Sequence, residues 1–264
     1  MTRDDLIAGF TAAADAHEGL EALLLGGSLG RGEGDAYSDV DLIVVTSPAA
    51  HAAFVEGVRP WAASIAPPVL WRQIYPGLPL FHAVTADYLR YDITVTTAQH
   101  VAESADRVRS LVDKTWIHAR LAPSRERPPL SAQAVHDVAE EFLRILGLLP
   151  VGVGRDDWAA VAAGLGLLRQ QLQALMILEQ RPVSPPGALA LTRLLPPEDL
   201  ALLAQVAAPP ATREGGISGS LALAKAFLPR ARRLASQAGA SWPQELETAV
   251  RDHLARELAV DLPG

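Results

Sequence analysis

The sequence predicts an α+β protein: an N-terminal mixed β-sheet domain with flanking helices over residues 1–124, followed by a C-terminal α-helical bundle over residues 125–264. In the first part, short apolar runs typical of strands alternate with helical patterns, whereas helical periodicity dominates after about residue 125. Between the two, the segment from Ala122 to Pro129 holds three prolines among charged residues, a composition typical of a linker.

The predicted elements of the first domain follow from hydrophobic spacing and turn residues. Apolar side chains recur at helical intervals over Asp4–His17, and a second helix is expected over Ala49–Ile65. Apolar runs bounded by Gly, Pro or Asp predict the strands of the sheet; these runs are Leu20–Leu25, Val40–Val45, Val69–Ile74, Leu80–Thr85 and Leu89–Thr96.

The second domain is predicted to be a bundle of four or five helices. Ser131 is a favourable N-cap for a helix that runs to about Leu149, and a leucine-rich pattern predicts a long helix over Asp156–Glu179. Further helices are expected at Pro196–Val206, Ser218–Gln237 and Pro243–Leu258.

Composition excludes several classes of protein. The chain of 264 residues has no cysteine, which rules out disulfide scaffolds and thiolate chemistry. Its formal net charge of -7 argues against a general nucleic-acid binder. Asp4 and Asp5 stand where a signal peptide is basic, and the uncharged stretch Leu200–Thr212 is too short to cross a bilayer. We therefore expect a cytoplasmic protein that binds neither membrane nor nucleic acid.

The segment from Gly26 to Leu42 is the most informative part of the chain. Gly27 and Gly32 have the spacing of a Walker A loop, but Glu33 stands where that loop requires lysine. A dinucleotide-binding fingerprint that begins at Gly30 fails because Asp35 occupies its third glycine position. What remains is a strand, a Gly-Gly-Ser turn and a pair of aspartates.

Asp39 and Asp41 are expected on one face of the second strand, because side chains alternate along a strand. Two adjacent carboxylates repel each other, and Mg²⁺ bound to substrate phosphates offsets such repulsion. Asp92 is a charge within an apolar strand, which is costly unless it is paired or bound to metal, and it is the best candidate for a third ligand. The three aspartates thus form a predicted metal site.

Small residues beside this pair suit an anion. Gly27 and Ser28 would let backbone N–H groups and a hydroxyl approach a phosphate, and Arg31 could reach the same group. Lys114, which follows the predicted sheet, is a further candidate for binding a triphosphate. None of the seven histidines has the spacing of a metal pair, so all are interpreted as surface or packing residues.

The pattern G-G-S, ten residues, D-x-D and a later strand acid resembles the nucleotidyltransferase superfamily of the DNA polymerase β type. The longer form over residues 26–42 is similar to its antibiotic-modifying branches, and the helical second half resembles the aminoglycoside and lincosamide nucleotidyltransferases. The resemblance implies transfer of a nucleoside monophosphate from an NTP, with ATP expected, to a hydroxyl of a small molecule and release of pyrophosphate. It also implies two Mg²⁺ ions held by Asp39, Asp41 and Asp92.

The resemblance leaves the general base open. Glu140 and Glu141 match an acidic pair in the helix that supplies the base in the kanamycin enzyme, but the base position itself falls on Arg144, which stays protonated. Either Glu141 substitutes for the base, or Asp92 and the metal activate the hydroxyl, or the chain does other chemistry. Family analogy also allows a homodimer. Two alternatives are an antitoxin-type enzyme that adenylylates a partner protein and a non-catalytic nucleotide-sensing module.

Overall fold

The computed structural model describes residues 1–183, 191–206 and 209–263. The chain divides into two compact units, residues 1–125 and 126–264. Each unit has a hydrophobic core of its own, built on a sheet in the first and on helices in the second. The α+β class predicted from the sequence is confirmed.

The first unit, the sheet unit, alternates helices and strands along the chain. Their order is α1 (Arg3–Ala16), β1 (Leu20–Leu25), α2 (Gly27–Gly30), β2 (Val40–Thr46), α3 (His51–Ala63), β3 (Pro68–Gln73), β4 (Leu80–Thr85), β5 (Arg90–Thr97), β6 (Arg109–Asp113) and α4 (Ile117–Arg120). The predicted strands agree with these bounds to within one residue at either end.

The six strands in the described part of the chain form one mixed sheet in the order β3-β4-β5-β2-β1-β6. The central pair, β2 and β5, is parallel, and the other neighbouring pairs are antiparallel. Helices α1 and α3 cover one face, where Leu6, Phe10 and Tyr91 are fully buried. On the other face a smaller apolar cluster forms around Leu24, Val45 and their neighbours. The central strands are therefore packed on both faces, and this packing holds the backbone that carries their polar side chains in place.

Strand β6 was not predicted from the sequence. It runs beside β1, with Val112 opposite Leu23, and so adds an edge strand to the sheet. Its first two residues, Arg109 and Ser110, are exposed and polar, and only Val112 is buried. A five-residue strand with this pattern lacks the apolar alternation that identifies a strand from sequence.

The second unit, the helical unit, contains α5 (Ala132–Leu146), α6 (Leu149–Gly154), α7 (Trp158–Gln180), α8 (Leu191–Leu194), α9 (Pro197–Gln205), α10 (Arg213–Ala238) and α11 (Gln244–Leu258). The predicted first helix ends at Leu146, three residues before its expected end, and a short helix that was not predicted, α6, begins at Leu149 with Pro150 in its first turn. Helix α10 begins five residues before its predicted start, where Thr212 accepts a capping bond from the N–H of Gly215.

Helix α7 is the central helix of this core. Its leucines, including Leu168, Leu172 and Leu175, are buried against α5 and α10. Length and composition alone would let α7 cross a membrane, and within the described residues it is the helix that meets that criterion. Its leucine stripe packs in the core of this unit, which accounts for part of that hydropathy. Beside it, the rings of Phe142 and Phe227 stack with centroids 3.8 Å apart.

Candidate active site

The turn between β1 and α2 requires glycine at position 27. Gly27 has φ of +57°, and a Cβ there would lie 1.7 Å from Oδ2 of Asp41. The N–H of Gly26 donates to the carbonyl of Asp41 at 2.8 Å, which fixes the turn against β2. The carboxylate of Asp41 therefore lies directly against the backbone of the glycine turn, as close as only glycine permits.

Ser28 is bonded to the loop that precedes β2. Its hydroxyl donates to Oγ of Ser38 at 3.0 Å, and Ser38 in turn donates to Oδ1 of Asp35 at 3.0 Å. The N–H of Asp35 donates back to Ser38 Oγ at 3.0 Å. This hydroxyl chain ties Ser28 to the residue immediately before Asp39.

Asp41 and Asp92 lie side by side on the two parallel central strands. They are register partners across β2 and β5, and neighbouring strands are about 4.8 Å apart. Asp39 stands immediately before β2, and its charge adds to burial in raising the pKa of both carboxyls. The structure thus brings together the three acids that the sequence singled out.

The environment disfavours ionisation of Asp41. Burial, followed by the negative charges of Asp39 and Asp92, raises the pKa of Asp41 to about 6, while Arg31 and His82 act in the opposite direction. Nearby cations therefore do not offset the repulsion in full. Carboxyls with perturbed pKa values of this kind are typical of functional sites.

Asp92 has a partner that sequence reasoning missed. Nδ1 of His82 lies 2.5 Å from Oδ1 of Asp92, and the two residues are opposite each other on β4 and β5. Burial raises the pKa of Asp92, and His82 partly counters that effect. The register contained the necessary information: the hairpin closes between Thr85 and Leu89, so counting back three residues on each strand pairs His82 with Asp92.

A cavity of about 360 Å³ opens beside the carboxylates. Asp41, Asp92 and Arg31 line it, and Nε of Arg31 is 2.8 Å from a carboxylate oxygen of Glu33. Thr94 extends the same strand face beyond Asp92, because it lies two residues further along β5. The cavity therefore combines acids, one guanidinium and threonine hydroxyls.

The carboxylates of this site have the chemistry that suits Mg²⁺, but they do not form a complete coordination shell. Hard carboxylate oxygens suit the ion, and the repulsion around Asp41 would fall when it binds. Across residues 1–183, 191–206 and 209–263, no group of three His, Asp or Glu side chains is already placed to hold a metal. Mg²⁺ commonly completes its shell with substrate phosphates, so we expect metal and triphosphate to bind together.

Lys114 lies away from this site, so the triphosphate role expected for it is withdrawn. Its N–H donates to the carbonyl of Glu21, near the start of β1, whereas the glycine turn follows the end of that strand. At about 3.3 Å per residue the two positions are about 16 Å apart. The ammonium instead donates to the carbonyls of Ala14 and His17 at 3.0 and 2.9 Å, which satisfies the end of α1.

Glu141 lies on α5 in the helical unit. Both of its oxygens accept from Arg144, at 2.6 and 2.7 Å. The bonds and charge of Arg144 hold the pKa of Glu141 below its ordinary value. A carboxylate with a lowered pKa is a weaker proton acceptor, so of the alternatives for the base, this geometry favours Asp92 over Glu141.

Comparison with known proteins finds similar solved structures, among which are the following two. An aminoglycoside 6-adenyltransferase from Bacillus subtilis is 13% identical, with 95% of each chain covered and a TM-score of 0.44. A nucleotidyltransferase-like protein from Exiguobacterium sibiricum is 14% identical, with 97% of this chain and 88% of that one covered and a TM-score of 0.36. No family model and no curated protein matches the sequence. Likeness at this level leaves the activity to be inferred from the chain's own residues.

Proposed function

We propose that this protein transfers a nucleoside monophosphate, AMP, from ATP to a hydroxyl of a small molecule and releases pyrophosphate. The observation that supports this most strongly is the pairing of Asp41 with Asp92 on adjacent parallel strands, against the glycine turn at Gly27. A partly compensated carboxylate cluster against a glycine turn is the arrangement that metal-dependent phosphoryl transfer needs.

Asp39, Asp41 and Asp92 are the residues that would hold Mg²⁺. When bound, the ion would neutralise charge on the triphosphate and on the oxygens of the reacting phosphate. Gly27 would offer its backbone N–H to a phosphate oxygen, and the Ser28 hydroxyl would turn from Ser38 to another. Arg31 lines the same cavity. Once Mg²⁺ has neutralised the carboxylates, the positive charge of Arg31 would be left to attract the phosphates.

Asp92 is the proposed acceptor of the proton from the attacking hydroxyl. His82 engages Oδ1 of Asp92, which orients the carboxylate and leaves Oδ2 for the acceptor. The hydroxyl oxygen bonds to the α-phosphorus as its proton passes to Oδ2. The bond from the α-phosphorus to the bridging oxygen breaks, and pyrophosphate leaves with that electron pair. Catalysis is then mainly a matter of positioning and charge stabilisation.

The proposed acceptor is a cationic, polyhydroxylated molecule of the aminoglycoside type. Asp41, Asp92 and Glu103 line the cavity, and only Arg31 among its lining residues carries a permanent positive charge. An acidic cleft concentrates cations near the reacting centre. A lincosamide is the second acceptor to test, because it also carries an amine and several hydroxyls.

The experiment is an acceptor screen with ATP labelled at the α-phosphate, in which both pyrophosphate and labelled product are followed. The proposal expects Mg²⁺-dependent transfer to at least one acceptor, abolished in Asp41→Asn and unchanged in Asp15→Asn. Asp15 is an exposed aspartate on α1, so its replacement makes the same charge change away from the site. Tight binding of ATP with no transfer to any acceptor would favour a nucleotide sensor. Label on a co-purifying protein would favour the partner-modifying alternative.

A further inference from the structure

A second cavity in the sheet unit, of about 610 Å³, is separate from the one that contains the carboxylates. It is lined by the start of α1 and by the residues that lead into β2 and β5. Val40 lines it, whereas Asp39 and Asp41 do not. Because successive side chains of a strand point to opposite faces, this cavity opens on the other side of the sheet from Asp41.

Two guanidinium groups line this cavity. Arg3 donates through Nη1 to the carbonyl of Asp35, and Arg90 donates through Nη2 to the carbonyl of Tyr37 at 2.7 Å. The two acceptors are neutral oxygens two residues apart, so these bonds bring the guanidiniums near each other without cancelling their charge. Asp4 is the only acidic residue in the lining, which leaves the cavity positive in a chain of net charge -7.

One donor in this group is left unsatisfied. Nε of Arg3 is buried and has no hydrogen-bond partner within the described residues. A buried donor without an acceptor costs free energy, and such donors in native proteins call for an explanation such as a bound anion. Arginine is suited to this role because its planar fork binds phosphate oxygens in pairs.

Two tyrosines stand at the same cavity with their rings in solvent. Tyr37 is 85% exposed and Tyr88 is 78% exposed. Tyr88 also has φ of +64°, a left-handed conformation that glycine or asparagine adopts at lower cost than tyrosine. Neither ring gains burial in return, and exposed aromatic rings of this kind are surfaces on which nucleobases stack.

We propose that this cavity binds a nucleoside phosphate without metal, at a site distinct from the transfer site. The guanidiniums of Arg3 and Arg90 bind the phosphate, and the base lies against Tyr37 and Tyr88. The ligand must match both the guanidinium pair and the tyrosine pair. Phosphate alone would leave the tyrosine rings without a base to stack on, and a nucleoside alone would leave both guanidiniums without an anion.

The test is calorimetric titration of the full chain with AMP, in the Asp41→Asn background and with a chelator present, so that the transfer site is disabled. AMP is expected to bind at least about fivefold more tightly than ribose 5-phosphate, because one base–aromatic stack is worth about that factor or more. Adenosine, which lacks the anion, is expected to bind at least about tenfold more weakly than AMP. Equal affinity for AMP and ribose 5-phosphate, or no binding of AMP, would overturn the proposal.

Two variants separate a ligand site from a merely structural role. Arg90→Gln is expected to weaken AMP at least about tenfold, whereas Arg59→Gln, on the exposed face of α3, should change it by less than about twofold. Tyr88→Gly removes a ring and at the same time relieves the left-handed backbone, so we expect unchanged or higher thermal stability but at least about fivefold weaker AMP binding. AMP binding that survives both Arg90→Gln and Tyr88→Gly would refute the assignment.

Discussion

The two units bury carboxylates in opposite ways. In the helical unit, Asp199 is 5% exposed, and both of its oxygens accept from Arg230 at 2.6 Å. Glu179 accepts from the same arginine and from Arg233. In the sheet unit, Asp41 lies beside other aspartates, and its pKa is raised to about 6. One unit compensates its buried carboxylates in full, and the other leaves its half-buried carboxylates only partly compensated.

A second cluster in the helical unit follows the same rule. Glu247 is 3% exposed and accepts from the indole N–H of Trp242 at 2.7 Å, as well as from Arg232 and Arg251. Burial alone would raise the pKa of Glu247, but these donors hold it below its ordinary value. The fold therefore has the means to neutralise buried acids, and the repulsion that remains at Asp41 is what the proposed cation site would relieve.

The largest expected effect is on transfer by Asp41→Asn. Removal of one charged ligand from the cluster should lower the rate of pyrophosphate release by at least about 10³-fold. The equivalent change in the helical unit is Asp199→Asn. It should leave the rate of pyrophosphate release per folded molecule within about twofold of the wild-type rate and should instead lower the free energy of unfolding. Steady-state assays on both variants, with the folded fraction measured by circular dichroism, test this contrast. Comparable rate losses in the two variants would contradict it.

Arg230→Ala should give the largest loss of stability. Burial works against the charge of Arg230, but its bonds to Asp199 and Glu179 hold its pKa above the ordinary value. Removal of this side chain leaves the buried carboxylate of Asp199 without its arginine and Glu179 with Arg233 alone, at an expected cost of about 3–5 kcal/mol. Urea unfolding measures this, with Arg59→Ala as the exposed control. A loss below 1 kcal/mol would show that the network contributes little.

Asp41 should destabilise the protein when no metal is bound, and this effect should depend on pH. Its pKa in the folded state, about 6, lies above that of an unfolded aspartate, near 3.9. The folded state therefore binds the proton more tightly, and the destabilisation is complete above pH 6 and disappears as the pH falls towards 4. Asp41→Asn should raise the free energy of unfolding by about 1–3 kcal/mol at pH 8. Thermal unfolding of both forms at pH 8 and pH 4 checks the sign, and a gain that persists unchanged at pH 4 would refute this origin.

The smallest expected effects are on the KM for ATP, and they distinguish Lys114 from Arg31 in the sheet unit. Lys114→Met should leave the KM for ATP within about twofold, and should cost about 1 kcal/mol of stability through its lost bonds to the carbonyls that end α1. Arg31→Met, in the cavity of Asp41, should raise that KM about tenfold. A reversal of the two KM values would show that Lys114 reaches the nucleotide after all.

Most of the sheet was predictable from the sequence because its strands are apolar and end at strong turn residues. Leu20–Leu25 and Leu80–Thr85 have the predicted bounds. The alternation within Val40–Thr46 also places the side chains of Asp41 and Leu42 on opposite faces. The juxtaposition of Asp41 with Asp92 depends on strand order, which hydrophobic spacing alone does not determine.

The residues that sequence reasoning missed all depend on pairing between distant segments. His82 meets Asp92 only through the register of a hairpin. Arg3 and Arg90 meet at one loop although they are far apart in the chain. Lys114 looked suitable because it follows the sheet, but the antiparallel direction of β6 sends it to the end of β1 that is remote from the glycine turn. Charge and local pattern identify candidates, and topology decides which of them come together.

The central claim is that the repulsion among Asp39, Asp41 and Asp92 is relieved by Mg²⁺ that arrives with a nucleoside triphosphate. The most direct measurement is a calorimetric titration of the wild-type chain and of Asp41→Asn with a non-hydrolysable ATP analogue, with and without Mg²⁺. We predict that Mg²⁺ tightens binding of the analogue to the wild type at least about tenfold and has no effect on its binding to Asp41→Asn. Equal dependence on Mg²⁺ in the two proteins, or none in either, would contradict the claim.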